Sequence, residues 1–158
     1  MSTKQTTIVS EPTKYEELVR KLYRTNWFNP VNLGLHNINR LHELLGHPMD
    51  REHLLLVHVA GTNGKGSVCN KIARTLALAG YNTGLYTSPH ISSFSERIQL
   101  NSSPISEHDV ELYMPTIYDL AESHQIPATF FEITTALAFA YFDANKVDAV
   151  VLETGLGG

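Results

Sequence analysis

Cysteine is almost absent: Cys69 is the only one among 158 residues. An internal disulfide framework is therefore excluded, which fits a reducing compartment. Long apolar runs are missing as well. No segment approaches the roughly 20 apolar residues that span a bilayer. The opening MSTKQTTIVSEPTK has neither the apolar stretch of a signal peptide nor the Arg-rich amphipathic pattern of a transit peptide. These gaps point to a soluble cytoplasmic protein, with a mitochondrial isoform as the alternative. A basic cluster is also lacking, and 12 Lys and Arg against 16 Asp and Glu leave a net charge of -4. Nucleic acid and membrane surfaces are therefore not expected partners.

What is present is an ordinary globular composition, 42% apolar and 18% charged, in a length that suits one hydrophobic core. Residues 1–12 are polar and read as a tail. Residues 13–50 carry two helical stripes, Tyr15, Leu18, Val19, Leu22 and Tyr23, then Leu35, Ile38, Leu41 and Leu45. Asn29 and Pro30 break the first, and Gly46 with Pro48 stops the second. From residue 51 to 158 the pattern alternates. LLLVHVA (54–60) predicts a strand buried on both faces. Val68, Ile72, Leu76 and Ala79 predict a helix ended by Gly80, and NTGLYT (82–87) a second strand. IQLNSSPI suggests a small hairpin, with helices following over 107–124 (a kink being possible at Pro115) and 129–144. VDAVVL (147–152) predicts a third strand. Alternation of this kind implies an α/β fold with a parallel doubly wound sheet, whose ligands bind outside the carboxyl ends of the strands. The sequence finishes directly after a buried-type strand, inside a Gly-rich turn, so the sheet is expected to be incomplete and the chain a fragment.

The strongest chemical signal is HVAGTNGKGS, residues 58–67. It follows a strand and opens a helix, the context a phosphate loop requires. Gly61, Gly64 and Gly66 let the backbone turn tightly and aim its N–H groups inward. The helix directs its positive end to the same point. Lys65 adds a full charge, and Thr62, Asn63 and Ser67 add polar groups. The general P-loop pattern is met only in part: Val59 stands where its first glycine belongs, and Gly66 where a Ser or Thr should follow the lysine. The eight histidines show no i, i+4 pair of the helical zinc type. They are expected to be surface or packing residues, with His58 in mid-strand a candidate for burial in neutral form. Cys69, on the helix after the loop, is expected to be a packed small residue.

The variant loop resembles that of the Mur ligase superfamily, and within it the folylpolyglutamate synthase and dihydrofolate synthase family. YTSPHISSFSERI (86–98), FFEITTALAF (130–139) and VVLETGLGG (150–158) extend the resemblance in order, over about residues 31–158. The fold it implies is a truncated Mur-ligase-like central domain, with a C-terminal glutamate-ligase domain absent. The activity it implies is ATP-dependent ligation of L-glutamate to a folate or dihydropteroate carboxylate through an acyl phosphate, by a protein that is a monomer at full length. ATP would occupy residues 61–67, with Lys65 and Glu153 in catalysis. Ser88 and Glu153 match magnesium ligands; the family's histidine ligand and modified lysine lie beyond Gly158. Pro89, His90 and Phe131 match the pterin side. Of the adjacent Phe130 and Phe131 at least one should be core, Glu132 could cap or pair, and Arg97 should hold its own loop. The isolated chain is expected to fold poorly and to lack ligase activity. Two other readings stay open: a Mur-type ligase for another carboxylate, and a short inactive nucleotide-binding protein. Dihydropteroate and tetrahydrofolate both remain possible as acceptors.

Overall fold

Local chemistry sets most of the helix ends. A computed structural model describes residues 11–28 and 34–155. Helix α1 (Lys14–Phe28) opens on Thr13, whose hydroxyl accepts the Glu16 N–H at 3.2 Å while the Glu16 carboxylate accepts the Thr13 N–H at 2.9 Å. This reciprocal pair satisfies two orphan donors of the first turn. The expected break at Asn29 and Pro30, and residues 1–10 of the expected tail, lie outside the described residues. Helix α2 (His36–Leu44) is followed by Gly46 at φ +80°. Then come β1 (Leu55–Val59), α3 (Lys65–Leu78) and β2 (Thr83–Tyr86).

A single 3-10 turn at Phe94–Arg97 leads into the expected hairpin, β3 (Ile98–Leu100) and β4 (Ser103–Pro104). Asn101 (φ +50°) and Ser102 (φ +69°) make its turn, the left-handed pair that matches strand twist. Helix α4 (Glu107–Ser123) is capped by the Ser106 hydroxyl, which accepts the Asp109 N–H at 3.0 Å, and it continues through Pro115. Helix α5 (Phe130–Ala144) has a full capping box from Thr129 and Glu132, and β5 (Ala149–Glu153) closes the order.

The strands lie in the order β1-β5-β2-β3-β4. β5 pairs parallel with both β1 and β2, and the β3–β4 hairpin adds an antiparallel edge. Side chains alternate between the faces. Tyr86 and Val150 join α1, α2, α4 and α5 in the larger core, while Leu85 and Val151 pack with Cys69 and Ala73 of α3 on the other face. Helices therefore cover both sides, as a doubly wound sheet requires. Cys69 is fully buried, and burial first, then the Glu153 charge, pushes its thiol up to about 11; it stays protonated and packs as a small apolar group. No helix among the described residues is long and apolar enough to cross a membrane.

Two expectations are corrected. The apolar run at 54–60 forms a strand, but β1 lies at the sheet edge, with Leu55 46% and Leu56 48% exposed. His58 is exposed too, not buried. The reason is positional: β5, far along the chain, inserts between β1 and β2 and takes the covered place.

Candidate functional site

Three strand ends converge. The loop after β1 carries the glycines, and Gly64 at φ +76° caps α3 in the left-handed region that favours glycine. Thr62, Asn63 and Ser67 are exposed around the mouth. Lys65 folds back over the loop, its Nζ donating to the Gly61 carbonyl at 2.9 Å. Gly66 in the first turn faces the end of β5. A Cβ there would lie 3.5 Å from Oε2 and 3.6 Å from Oε1 of Glu153, so the helix start sits directly against that carboxylate. Glu153 is 7% exposed. Its Oε2 accepts the Ser88 N–H at 2.9 Å, which ties the loop after β2 to the same point.

Among the described residues Oε1 accepts no hydrogen bond, and no Lys, Arg or His makes an ion pair with Glu153. A buried carboxylate without a cation is costly. The Glu153 carboxylate is a hard oxygen donor, which suits magnesium, and the residue whose N–H it holds, Ser88, carries a hydroxyl on the adjoining loop. Glycine at position 66 leaves the carboxylate free of a covering side chain. The residues present therefore fit both a phosphate group and a divalent ion.

Residues 88–98 form a braced loop. The Ser88–Pro89 peptide is cis, and Pro89 is exposed. His90 Nδ1 accepts from Arg97 Nε at 2.7 Å. That nitrogen therefore carries no proton, and the Nε2–H donates to the Tyr23 hydroxyl at 2.8 Å. Burial and the neighbouring Arg97 hold the imidazole below the usual histidine range, so it is neutral. With both nitrogens engaged, what His90 can present to a ligand is its ring face. Arg97, 8% exposed, also lies over the Phe130 ring at 4.8 Å, so it does hold its own loop.

Phe130 and Phe131 separate as two adjacent helical residues must. Phe130 is buried against Tyr23 and Phe94. Phe131 is 39% exposed, with its ring 5.9 Å from that of Tyr86. Gly155 lies so close that a Cβ there would meet the Phe131 ring at 2.9 Å. Glu132 caps its helix, accepting the Thr129 N–H at 2.8 Å, and is further held by Asn37.

Two supports escape the motif reading. The Glu96 carboxylate accepts the backbone N–H groups of Ile91, Ser92 and Ser93. These bonds, Ile91's first, draw its pKa below the usual glutamate range. Glu96→Ala should release the loop: amide exchange at residues 91–93 should accelerate about tenfold, as expected when charge-assisted hydrogen bonds are lost, while α5 keeps its protection. Unchanged exchange would show that the loop is held otherwise. Thr154 is the second support, its N–H donating to the Val59 carbonyl at 3.0 Å and its hydroxyl meeting His58 Nε2 at 2.8 Å. It locks the end of β5 to the end of β1.

No model of a known protein family matches the chain. Individual proteins do. The chain is 44% identical over 133 residues to the dihydrofolate synthase/folylpolyglutamate synthase of Bacillus subtilis, covering 81% of this chain and 30% of that protein. The crystal structure of folylpolyglutamate synthase from Thermotoga maritima superimposes with a TM-score of 0.81 at 43% identity, over 91% of this chain and 34% of the other. An Escherichia coli homologue, FolC, solved in complex with DHPP and ADP, gives 0.81 at 30% identity, over 94% and 35%. With that likeness in both sequence and fold over most of its own length, the chain belongs to the folylpolyglutamate synthase/dihydrofolate synthase family of the Mur ligase superfamily, and it spans about a third of the length of these relatives.

Proposed function

We propose that this chain forms the nucleotide-binding part of a ligase that joins L-glutamate to the carboxylate of dihydropteroate or a reduced folate at the expense of ATP. The observation that carries the reading is the Glu153 carboxylate, buried without a cation, set against Gly66 of the phosphate loop and holding Ser88. The relatives' names supply the reaction class, and the ADP in the E. coli complex supports the nucleotide.

Residues 61–67 would cradle the phosphates with backbone N–H groups and the positive end of α3. Lys65 would leave the Gly61 carbonyl to neutralise the transferring phosphoryl group. Ser88 and Glu153 would hold a magnesium ion, which when bound offsets charge on the phosphate oxygens. Phosphoryl transfer needs this neutralisation and alignment more than covalent help. The acceptor carboxylate would gain the γ-phosphoryl group as an acyl phosphate, and the glutamate amine would displace phosphate from it. Phe131 would offer its exposed ring to the flat pterin, with Pro89 and the face of His90 on the opposing loop.

Two measurements test this. In the first, ATP is titrated into the 158-residue chain with magnesium. Lys65→Ala should weaken binding about tenfold, the lower end for a charged hydrogen bond, and leave the melting temperature unchanged because Lys65 bonds only its own loop. In the second, the chain replaces the matching segment of the B. subtilis enzyme, and glutamate incorporation is followed with dihydropteroate and with tetrahydrofolate. Incorporation with either acceptor supports the reading and names the substrate. Nucleotide binding with no incorporation into a folded chimera would favour a binding module instead.

A further inference from the structure

Helix α2 ends in a motif that normally closes on an apolar contact. The His47 N–H donates to the His42 carbonyl at 2.9 Å, and the Gly46 N–H to the Glu43 carbonyl at 3.0 Å. With Gly46 left-handed at φ +80°, this is the Schellman pattern, in which the residue after the glycine packs on the helix residue five positions back. Here both positions are histidine. Their rings meet edge to face with centroids 5.2 Å apart.

A third group joins them. The Asp50 N–H donates to the His47 carbonyl at 3.0 Å, which turns the chain back on itself. The Asp50 carboxylate then lies 3.1 Å from His47 Nδ1 and 3.9 Å from His42 Nε2. One ligand atom from each of the three falls within 4.8 Å of the other two. In a tetrahedral zinc site, bonds of about 2.0–2.1 Å put ligand atoms roughly 3.3 Å apart, so small side-chain rotations suffice. His47 sits at φ +57°, an uncommon backbone state for a non-glycine residue, and the turn it makes carries its imidazole to this point.

We propose that His42, His47 and Asp50 form a binding site for one first-row divalent transition ion of the zinc class. Two imidazoles and a carboxylate suit zinc, cobalt and nickel, whereas magnesium and calcium prefer all-oxygen sites. The fourth position is left to water, since His47 and Asp50 are exposed. One bond opposes the ion: the Met49 N–H donates to His42 Nε2 at 3.2 Å and must yield that lone pair. The site therefore binds less tightly than a closed structural site with four protein ligands. It stands at the turn between α2 and β1, is built from none of the phosphate-loop residues, and does not depend on the ligase reading. Bound metal would staple the end of α2 to the segment that enters β1.

The test is calorimetric titration of Zn2+ into the untagged 158-residue chain, repeated with Co2+ to read its visible d–d absorption. One equivalent should bind, with cobalt bands of a nitrogen-containing, low-coordinate site. His47→Ala and Asp50→Asn should each weaken binding tenfold or more and remove the bands. His53→Ala, an exposed histidine three residues beyond Asp50, should change neither. Circular dichroism of each variant should match the parent, because both substituted side chains are more than half exposed. Absence of saturable binding, or binding that survives both substitutions or vanishes equally in His53→Ala, would overturn the assignment.

Discussion

Glu153→Gln should nearly abolish the contribution of magnesium to nucleotide binding, by about a hundredfold, while the protein stays folded. The expectation rests on two facts that pull in different directions. Gln preserves the shape and keeps an oxygen to accept the Ser88 N–H, now 2.9 Å from Oε2, so the loop after β2 stays in place. It removes the full negative charge from a position that is 7% exposed and has no cationic partner among the described residues. An uncompensated buried charge costs folding energy, so the melting temperature should hold or rise. A hundredfold loss corresponds to about 2.7 kcal/mol, the scale of a charge-assisted contact. The measurement is ATP affinity with and without magnesium, for parent and variant. If the magnesium dependence persists in the variant, Glu153 is not the group that holds the ion.

Gly84→Ala should cost about 2 kcal/mol of stability, near the middle of the range for overpacked cores. A Cβ at this position in β2 would stand 2.8 Å from Cδ1 and Cε1 and 3.0 Å from Cγ of Phe142. Phe142 is fully buried in the middle of the larger core, so its ring has nowhere to swing. Backbone strain plays no part, because Gly84 has no positive φ; the effect is purely steric. For a chain of this size the melting temperature should fall by roughly 4–8 °C. Phe142→Leu placed in the same chain should recover part of the loss, since neighbours that share one space are not additive. A single variant as stable as the parent would mean that α5 can slide away from β2 at little cost.

Much of the fold was legible because its signals are local. The step from β1 through the glycine loop into α3 is written in contiguous residues, and so is the hairpin at Asn101–Ser102. The division of labour between Phe130 and Phe131 follows from helical geometry alone. What escaped depends on partners far away in the chain. The apolar run of β1 cannot report that β5 will take the inner place in the sheet. His58 shows nothing of its bond to Thr154, which is 96 residues on. Glu96 reads as one more loop carboxylate until three amides turn toward it. His42 and His47 are five apart, a spacing that brings side chains together only when a left-handed glycine ends the helix between them. For the candidate site, Gly66 read as a turn residue; its second role, leaving room for the Glu153 carboxylate, depends on where β5 finishes.

The position of β1 also governs how this chain should behave in company. Leu55 and Leu56 are about half exposed on a strand whose outer edge pairs with nothing among the described residues. Unpaired N–H and C=O groups beside apolar side chains make a template on which another strand can assemble. Neither lysine nor proline stands within residues 54–60 to blunt it. Colloidal behaviour is therefore set by a few residues remote from the chemistry, and a lysine at position 56 would be the simplest way to keep concentrated solutions of this chain from self-association.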